Sequence, residues 1–297
     1  MLSTSPLFSI IIPTYNRANL IGKSIESVLA QEFKDFELII VDDGSKDLTE
    51  EVINQFIDPR IRYFKKENGE RGAARNYGSV RARGSYINFF DSDDSLYPHH
   101  LQIAEKLISV HDKPVFFHLA YDQRLPDGTL VGVSNNFSDS THDIIMFNNV
   151  LSCNGVFIRR DIAVQFPFEE DRILASSEDW ELWIRISSRF KLIVSNEVTS
   201  SVLQHESRSL YTIPVDKVVA RDLLFIEKLK KDQTVMQRYG PSFHRFIAER
   251  YSFFMLCFAE QKRPHEVIKW AILACQVHPL ILFSKRFLAS LKNMILK

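Results

Sequence analysis

Three aspartates lie within four positions at the end of a predicted strand, and their closeness needs a chemical explanation. Asp91, Asp93 and Asp94 follow the apolar run SYINFF, whose composition is typical of a strand buried on both faces. Two carboxylates about 5 Å apart repel by about 1 kcal/mol in water and by roughly 3 kcal/mol at an effective dielectric of 20. Protonation, basic partners or a cation would offset that repulsion. Because Asp91 and Asp93 are two positions apart, an extended backbone would point both toward one hard divalent cation.

The acidic run has two competing interpretations. An EF-hand loop is excluded because, counted from Asp91, Leu96 stands where glycine is required and Gln102 where glutamate is required. A polar loop in which Asp94 or Ser95 caps the next helix stays open. The spacing alone does not decide between such a loop and a metal site.

The elements that must position these acids alternate between strand and helix over the first 95 residues. Strands are predicted at Phe8 to Thr14, Phe36 to Asp43, Ile61 to Lys66 and Ser85 to Phe90. Apolar residues at helical spacing separate them, with one helix predicted from Arg71 to Arg81. Repeated strand–helix–strand units predict an α/β fold with a mainly parallel sheet and flanking helices.

The acidic positions share a place in this sheet. Ligands of parallel α/β sheets bind beyond the carboxyl ends of the strands. Asp42 and Asp43 follow the second predicted strand, as the 91–94 cluster follows the fourth. An Asp-Gly turn with a helix cap is the alternative for VDDGSKDLT. The standard glycine-rich phosphate loops are absent from the sequence, so a bound nucleotide would need carboxylates at its base or ribose and a cation at its phosphates.

The sequence after Pro98 divides into a mixed region and a helical one. Helices are predicted over His99 to Val110 and in SSEDWELWIRISSRF, and strands in PVFFHLAYD, NGVFIRR, KLIVSN and TSSVLQH, with a hairpin turn in RLPDGTL. From about Pro214 the pattern is helical throughout. We predict an α/β domain over 1–212, with halves 1–97 and 98–212, and a helical C-terminal region over 213–297.

Composition and charge narrow the class of protein. The 297 residues are 45% hydrophobic and 25% charged, and the formal net charge of zero provides no overall field to attract nucleic acid. No apolar run reaches the roughly 18 to 20 residues of a membrane span, and the first residues lack a signal-peptide pattern. Cys153, Cys257 and Cys275 are isolated and fit buried, reduced thiols. These features predict a cytoplasmic protein.

Six short motifs occur in the order typical of one known family. PTYNR, VDDGSKDLT, NGERGAARNYG, YINFFDSDD, SEDWELWIR and HESRS together resemble the family 2 inverting glycosyltransferases, which have the GT-A fold. The resemblance covers about residues 7–210. It implies transfer of a sugar from a nucleotide diphosphate, with UDP-sugars favoured, to an acceptor hydroxyl with inversion. Cell-surface polysaccharide or lipid-linked oligosaccharide synthesis is the family-level expectation.

The resemblance implies a nucleotide site at the ends of the first two strands. Asp43 stands where the family accepts hydrogen bonds from the base, and Asp42 beside it is expected to support the loop. Thr14 and Tyr15 stand where the nucleoside is contacted. Arg71 stands where a basic residue approaches the nucleotide, and an exposed arginine at a helix start is the alternative.

The resemblance also implies a divalent cation, Mn²⁺ or Mg²⁺. Asp93 stands at the position of the direct metal ligand, and Asp91 at a position that meets the ribose or donor sugar. His205 stands where relatives place a histidine that contacts metal or phosphate, and imidazole beside carboxylate would suit Mn²⁺ better than Mg²⁺. A purely structural histidine is the alternative. Asp94 either contacts the donor or caps a helix.

The acceptor side is implied by SSEDWELW. Asp179 resembles the catalytic base, although its spacing from Ser176 also fits a capping box. Glu178 is expected on the acceptor side or at the helix start. Trp180 and Trp183 could line an acceptor pocket by stacking on sugar rings, with one of them in the core.

Two other classes of protein were weighed against a glycosyltransferase. A nucleotidyltransferase should carry a basic glycine-rich loop after the first strand, and an inactive sugar-nucleotide binder or assembly protein should have lost an acid. The sequence shows neither feature.

The segment from Ile281 to Lys297 carries four basic residues and no acid, which fits a membrane-surface helix near a lipid-linked acceptor or a packed terminal helix. The helical region could instead form a homodimer.

Overall fold

The computed structural model describes residues 5–205 and 213–296, with side chains as far as residue 292. The chain forms two compact units. The first contains Met1–Ile145 and Asn149–Arg208, and the second contains Met146–Asn148 and Ser209–Lys297.

The first unit is built on one sheet with helices around it. Its strands are β1 (Phe8–Thr14), β2 (Phe36–Asp42), β3 (Ile61–Lys65), β4 (Tyr86–Phe89), β5 (Ser95–Leu96), β6 (Phe116–Arg124), β7 (Leu130–Ser134), β8 (Val156–Arg159) and β9 (Leu192–Leu203). Its helices are α1 (Ile21–Leu29), α2 (Thr49–Ile53), α3 (Glu70–Ser79), α4 (His100–Val110), α5 (Thr141–Ile144), α6 (Arg160–Gln165) and α7 (Glu178–Ser187). Short 3-10 turns lie at Cys153–Gly155 and Arg172–Leu174.

The sheet is parallel in one half and mixed in the other. The strand order is β3-β2-β1-β4-β8-β6-β9-β5, and β7 pairs with β6 outside this path. Strands β3, β2, β1 and β4 are parallel, which confirms the predicted α/β fold. Beyond β4 the sheet is mixed, because β8 pairs antiparallel with both β4 and β6, whereas β6 and β9 are parallel.

Two local predictions have different outcomes. The Asp-Gly turn joins β6 and β7 as a hairpin, with Gly128 at φ +88°. KLIVSN and TSSVLQH were expected as separate strands, but β9 runs through both and stays paired with β6. Register shifts in this pairing absorb the polar residues between the two runs without ending the strand.

Close packing of α3 on β1 explains the small residues of the NGERGAARNYG motif. A Cβ at Gly78 would lie 2.6 Å from Ile11 Cγ2, and one at Gly72 would lie 2.6 Å from the carbonyl oxygen of Glu169. Glycine at position 78 is therefore required for α3 to approach β1 this closely, and glycine at position 72 for the loop at Glu169 to pass beside α3. That approach places the buried side of α3, with Arg75, beside the strand ends.

The second unit is helical. Its elements are α8 (Val215–Lys231), α9 (Gln233–Glu260), α10 (Pro264–Val277), a 3-10 turn (Pro279–Phe283) and α11 (Lys285–Leu296). Phe254, Phe258, Trp270 and Phe287 are among the residues of its apolar core. Buried Asp222 accepts hydrogen bonds from Arg221 Nε at 3.0 Å and from Arg250 Nε at 2.9 Å. Within the described ranges, no helix has both the length and the apolarity to span a membrane.

Candidate active site

The candidate site lies in the first unit, where β1, β2 and β4 end and α7 begins. The Asp43 amide donates to the carbonyl oxygen of Thr14 at 2.8 Å, which joins the chain after β2 to the end of β1. Arg75 bridges Asp91, after β4, to Glu178 in the first turn of α7. The structure thus brings together acids that are far apart in the sequence.

Asp42 supports the loop after β2. Its side chain is fully buried and accepts hydrogen bonds from the Ser45 amide at 2.7 Å and the Tyr63 hydroxyl at 2.9 Å. Burial, together with this carboxylate, raises the pKa of Tyr63, so the phenol stays a donor. The expected supporting role agrees with this geometry, whereas direct contact between Asp42 and a nucleotide does not.

Asp43 lies in a polar pocket formed by the chain between β3 and α3. Its carboxylate accepts hydrogen bonds from Lys66 Nζ at 2.7 Å, the Gly69 amide at 2.9 Å and Asn68 Nδ2 at 3.1 Å. Arg172 in turn donates to the carbonyl oxygen of Asn68 at 2.6 Å. Asp43 is therefore held in one orientation by groups that the sequence interpretation did not include.

Thr14 and Tyr15 differ in what they offer a ligand. Thr14 is buried, and its hydroxyl has no hydrogen-bond partner among the described residues. Tyr15, the residue after β1, is 42% exposed. Tyr15 can therefore present a face to a planar base, whereas Thr14 contributes its backbone to the loop contact with Asp43.

Arg75 connects the donor and acceptor sides of the predicted site. It is 1% exposed, with Nη2 2.8 Å from Asp91 Oδ1 and Nη1 2.8 Å from Glu178 Oε1. Its guanidinium also lies over the Phe168 ring at 5.2 Å. A buried arginine is stable only with such partners, so these acids hold Arg75 and Arg75 fixes them.

Asp93 has different neighbours from Asp91. Asp93 Oδ2 lies 3.1 Å from His205 Nε2 and 3.9 Å from Arg17 Nε. The extended backbone on which the shared direction of these two side chains was predicted is absent, because residues Ser92 and Asp93 form a turn. The two carboxylates thus have different basic partners, and Asp91 is paired with Arg75.

Asp93 and His205 together offer a divalent cation two protein ligands. Within residues 5–205 and 213–292, no three His, Cys, Asp or Glu side chains form a group that could hold a metal. One carboxylate oxygen and one imidazole nitrogen suit a cation that takes its remaining ligands from phosphate and water. The donor set therefore fits a metal bound together with a nucleotide diphosphate.

Asp94 is a buried structural carboxyl. It is 4% exposed and accepts hydrogen bonds from Asn154 Nδ2 at 2.7 Å and from the Leu203 amide at 2.8 Å. Burial raises its pKa well above the usual value, and the charges of Asp93 and Asp91 add to the shift. Asp94 caps no helix, because β5 follows it, and its internal partners argue against a donor contact.

The repulsion within the acidic run is thus relieved in three ways. Arg75 neutralises Asp91, a raised pKa favours the neutral form of Asp94, and His205 and Arg17 adjoin Asp93. Basic partners and protonation were two of the routes open from the sequence.

Asp179 stands at the start of α7 in a setting suited to proton transfer. Its Oδ1 accepts from the Trp180 amide at 2.7 Å, and Oδ2 accepts from Asn149 Nδ2 at 3.0 Å, with Cys153 Sγ 4.0 Å away. Burial raises the pKa of Asp179 to about 6, and the neighbouring Glu178 charge adds to the shift. The side chain nevertheless keeps partial access to solvent.

The capping alternative for Asp179 does not hold. The residue that precedes α7 is Ser177, and no side chain caps the helix. Ser176 adopts a left-handed conformation, φ +72°, which is strained for a residue with a Cβ. The chain is therefore turned sharply just before the two acids of α7, and Asp179 does not serve as the capping partner.

Other predicted acceptor-side residues are less exposed than expected. Glu178 is buried, its Oε2 has no hydrogen-bond partner among the described residues, and Arg71 Nε lies 3.8 Å from its Oε1. Trp180 is buried with its indole donating to the carbonyl oxygen of Ile145 at 2.6 Å, and Trp183 is fully buried. The prediction of a stacking tryptophan is therefore not supported, and Arg71 lies beside the acceptor-side acid.

Sequence reasoning missed several residues of the site. The most important are Arg17, Lys66, Asn68, Arg75, Asn149 and Asn154. Arg75 could have been found from the sequence, because it stands among the small residues of the buried side of α3. A charged side chain on an apolar helix face indicates a buried ion pair. The others act through contacts distant in sequence and left no comparable pattern.

Comparison with known proteins assigns the family. The model of glycosyl transferase family 2 matches residues 9–150. An uncharacterized glycosyltransferase of Rickettsia typhi is 32% identical over 264 residues, which make up 84% of this chain and 80% of that protein. The hyaluronan synthase of Pasteurella multocida is 30% identical over 216 residues, 71% of this chain and 22% of the synthase. The chain belongs to glycosyl transferase family 2 and is a glycosyltransferase with relatives in polysaccharide synthesis.

Two solved structures share the fold. Staphylococcus aureus TarS in complex with UDP-GlcNAc has a TM-score of 0.71 at 21% identity, over 97% of this chain and 88% of that one. The mannosyltransferase PcManGT of Pyrobaculum calidifontis, in complex with GDP-Man and Mn²⁺, has a TM-score of 0.62 at 16% identity, over 99% and 87% of the two chains. The GT-A fold expected from the sequence is confirmed.

Proposed function

We propose that this glycosyltransferase moves a sugar from a nucleotide diphosphate, with a UDP-sugar favoured, to an acceptor hydroxyl with inversion at the anomeric carbon. Family membership supports the transfer, and the UDP-GlcNAc bound to TarS supports the donor class. The observation that carries the proposal is Asp179, a partly accessible carboxylate whose pKa is raised to about 6. A pKa near the operating pH suits a general base.

The proposed chemistry is a direct displacement. Asp179 takes the proton of the acceptor hydroxyl while that oxygen attacks the anomeric carbon, and the bond to the diphosphate breaks on the opposite face. The Trp180 amide and Asn149 each donate to one carboxylate oxygen, which leaves lone pairs free to accept the proton. Asn149 and the strained turn at Ser176 thereby orient the base toward the acceptor.

The donor would be held at the strand ends. Tyr15 offers a ring face to the base, and Asp43 offers carboxylate oxygens fixed by Lys66 and Asn68. Asp93 and His205 would hold Mn²⁺ or Mg²⁺, and the Mn²⁺ in the PcManGT complex supports such a cation. When bound, it supplies Lewis-acid neutralisation of charge on the leaving diphosphate.

The acceptor and cellular setting are proposed at the level of class. Glu178, which is held by Arg75 and adjoins Asp179 in the first turn of α7, is placed on the acceptor side as a support for the base. The hyaluronan synthase among the relatives supports a glycan acceptor in polysaccharide synthesis. A lipid-linked acceptor and a place at the cytoplasmic face of the membrane stay predictions. Homodimer formation stays a prediction.

Nucleotide release from a panel of UDP-, GDP- and dTDP-sugars, with Mn²⁺, Mg²⁺ or EDTA, tests this proposal. We expect slow release of one nucleotide from one donor, dependent on metal. Addition of glycan or lipid-linked acceptors should then accelerate release. Binding of a donor without release under any condition would instead favour the inactive binder, and no binding at all would contradict the nucleotide site.

The pH dependence of transfer should report Asp179. Because the carboxylate is the active form, protonation below its pKa removes the base. We therefore expect kcat/KM for the acceptor to be level above about pH 6 and to fall about tenfold per pH unit below it. A profile that stays level to pH 4 would contradict the assignment, since burial and Glu178 both raise this pKa.

Replacement of Asp93 should weaken the binding of the donor and of the metal. In Asp93→Ala, the His205 imidazole loses its carboxylate partner, so we expect donor affinity to fall at least about tenfold and Mn²⁺ to lose its effect. Isothermal titration with and without EDTA measures both. Asp127→Ala, which removes an exposed aspartate from the β6–β7 hairpin, is the matched control. Metal-independent donor binding by the unmodified protein would overturn the role of Asp93.

A further inference from the structure

We propose that the 3-10 turn Pro279–Phe283 and the exposed side of α11 bind an anionic membrane surface. The proposal deepens the membrane setting given above and takes its purpose, access to a lipid-linked acceptor, from the proposed function. It rests on three features of the second unit: apolar side chains exposed in the turn, a one-sided α11 and the absence of acidic residues from the surrounding sequence.

The turn exposes apolar side chains that the unit does not use. Within five residues, Leu280 is 67% exposed, Leu282 43% and Phe283 80%, whereas Ile281 is buried in the core. Single exposed apolar residues are common on protein surfaces, but three in one short turn form a patch. Ile281 anchors the turn, so its neighbours project from a fixed base and not from a loose terminus.

The apolar side of α11 is already used within the unit. Phe287 is buried in the core of the second unit, Leu291 packs against that core, and Ser290 between them has no exposure. This face cannot also contact lipid. The sequence prediction of a membrane helix therefore needs revision: the apolar contact belongs to the preceding turn.

The other side of α11 is basic. Lys285, Leu288 and Lys292 are exposed and follow one another at intervals of three and four residues, which places them on one helix face. Only Ser284 separates the apolar turn from the start of this helix. Apolar side chains beside lysines match the boundary between acyl chains and anionic headgroups.

Charge favours a lipid surface over a second copy of the chain. From Val267 to Lys297 the sequence has five Lys or Arg and no Asp or Glu. A twofold interface through this face would bring the lysines of both copies into one interface without acidic partners from this segment, which costs free energy. An anionic membrane attracts the same charges, with about a fivefold gain in partitioning per basic residue near the surface.

Co-sedimentation with vesicles of phosphatidylcholine, with or without phosphatidylglycerol, tests the proposal on the full chain. We expect binding to the anionic vesicles that weakens as salt is added. Leu280→Ser with Phe283→Ser should lower partitioning at least about tenfold, and Lys285→Gln with Lys292→Gln about 25-fold at low salt. The matched control is Leu48→Ser with Ile57→Ser, which removes two exposed apolar side chains from the first unit.

The outcomes separate this proposal from the proposed function. All these variants should release nucleotide from a soluble donor at the wild-type rate. Vesicle binding is measured without donor or acceptor, so it tests the membrane proposal even if no sugar transfer is detected. Absence of binding, equal binding to neutral vesicles, or unchanged binding by the Leu280 and Phe283 variant would each overturn the proposal. A sedimentation velocity shift from dimer to monomer in that variant would assign the turn to self-association instead.

Discussion

Asp179→Asn should reduce sugar transfer by about 10²–10⁴-fold, the usual contribution of a positioned general base. The amide keeps the size of the side chain and can still meet the Trp180 amide through its oxygen, but it cannot take the acceptor proton. Donor affinity should stay at the wild-type value, because no contact between Asp179 and the proposed donor residues is needed for donor binding. Initial rates and calorimetric donor titration measure the two effects separately.

Asp127→Asn is the control for this experiment, since it makes the same chemical change at an exposed hairpin position. Near wild-type transfer by Asp179→Asn would show that another group removes the proton. A parallel loss of donor affinity would indicate a structural role for Asp179 and contradict the assignment just as clearly.

Arg75→Met should destabilise the first unit by roughly 3–5 kcal/mol, because it removes one partner of a buried ion pair. Glu178 would be left 3% exposed without its 2.8 Å contact, and Asp91 would lose its bridge to α7. Loss of the guanidinium also removes a charge that lowers the pKa of Asp179. The inflection of the pH–rate profile should therefore rise above pH 6.

Glu178→Gln distinguishes this electrostatic role from simple loss of packing. It removes a negative charge that raises the pKa of Asp179, so the inflection should move below pH 6, opposite to the shift in Arg75→Met. Thermal denaturation supplies the stability values, and Arg245→Met, which breaks an exposed pair with Glu249, is the control. Shifts in the same direction for both variants, or none, would mean that Arg75 does not couple to the base.

The parallel half of the fold was predictable because its signals are local. Apolar runs such as FSIIIPT and FELIIVD set β1 and β2, and apolar spacing set α1 between them. The antiparallel entry of β8 beside β4 depends on contacts between residues about seventy positions apart. No local pattern records such a pairing, so the mixed half of the sheet could not be derived in the same way.

In the candidate site, too, the sequence predicted the positions of single residues but not their contacts with distant parts of the chain. The positions of Asp91, Asp93 and Asp179 at element ends followed from the sequence, but their partners did not. One turn at Ser92 and Asp93 sends neighbouring carboxylates to Arg75 and to His205, a difference that spacing alone could not reveal. Trp180 is a similar case. Its indole donates to the carbonyl oxygen of Ile145, which is 35 residues away, and the local sequence gives no sign of this contact. The sequence alone therefore suggested that the ring was available for stacking.

The anomeric configuration of the product, determined by NMR at early times, is the most direct test of the central claim. Direct displacement assisted by one base, Asp179, predicts a product of configuration opposite to that of the donor sugar. A product with retained configuration would contradict the proposed mechanism, because retention requires a second displacement or attack from the face of the leaving group.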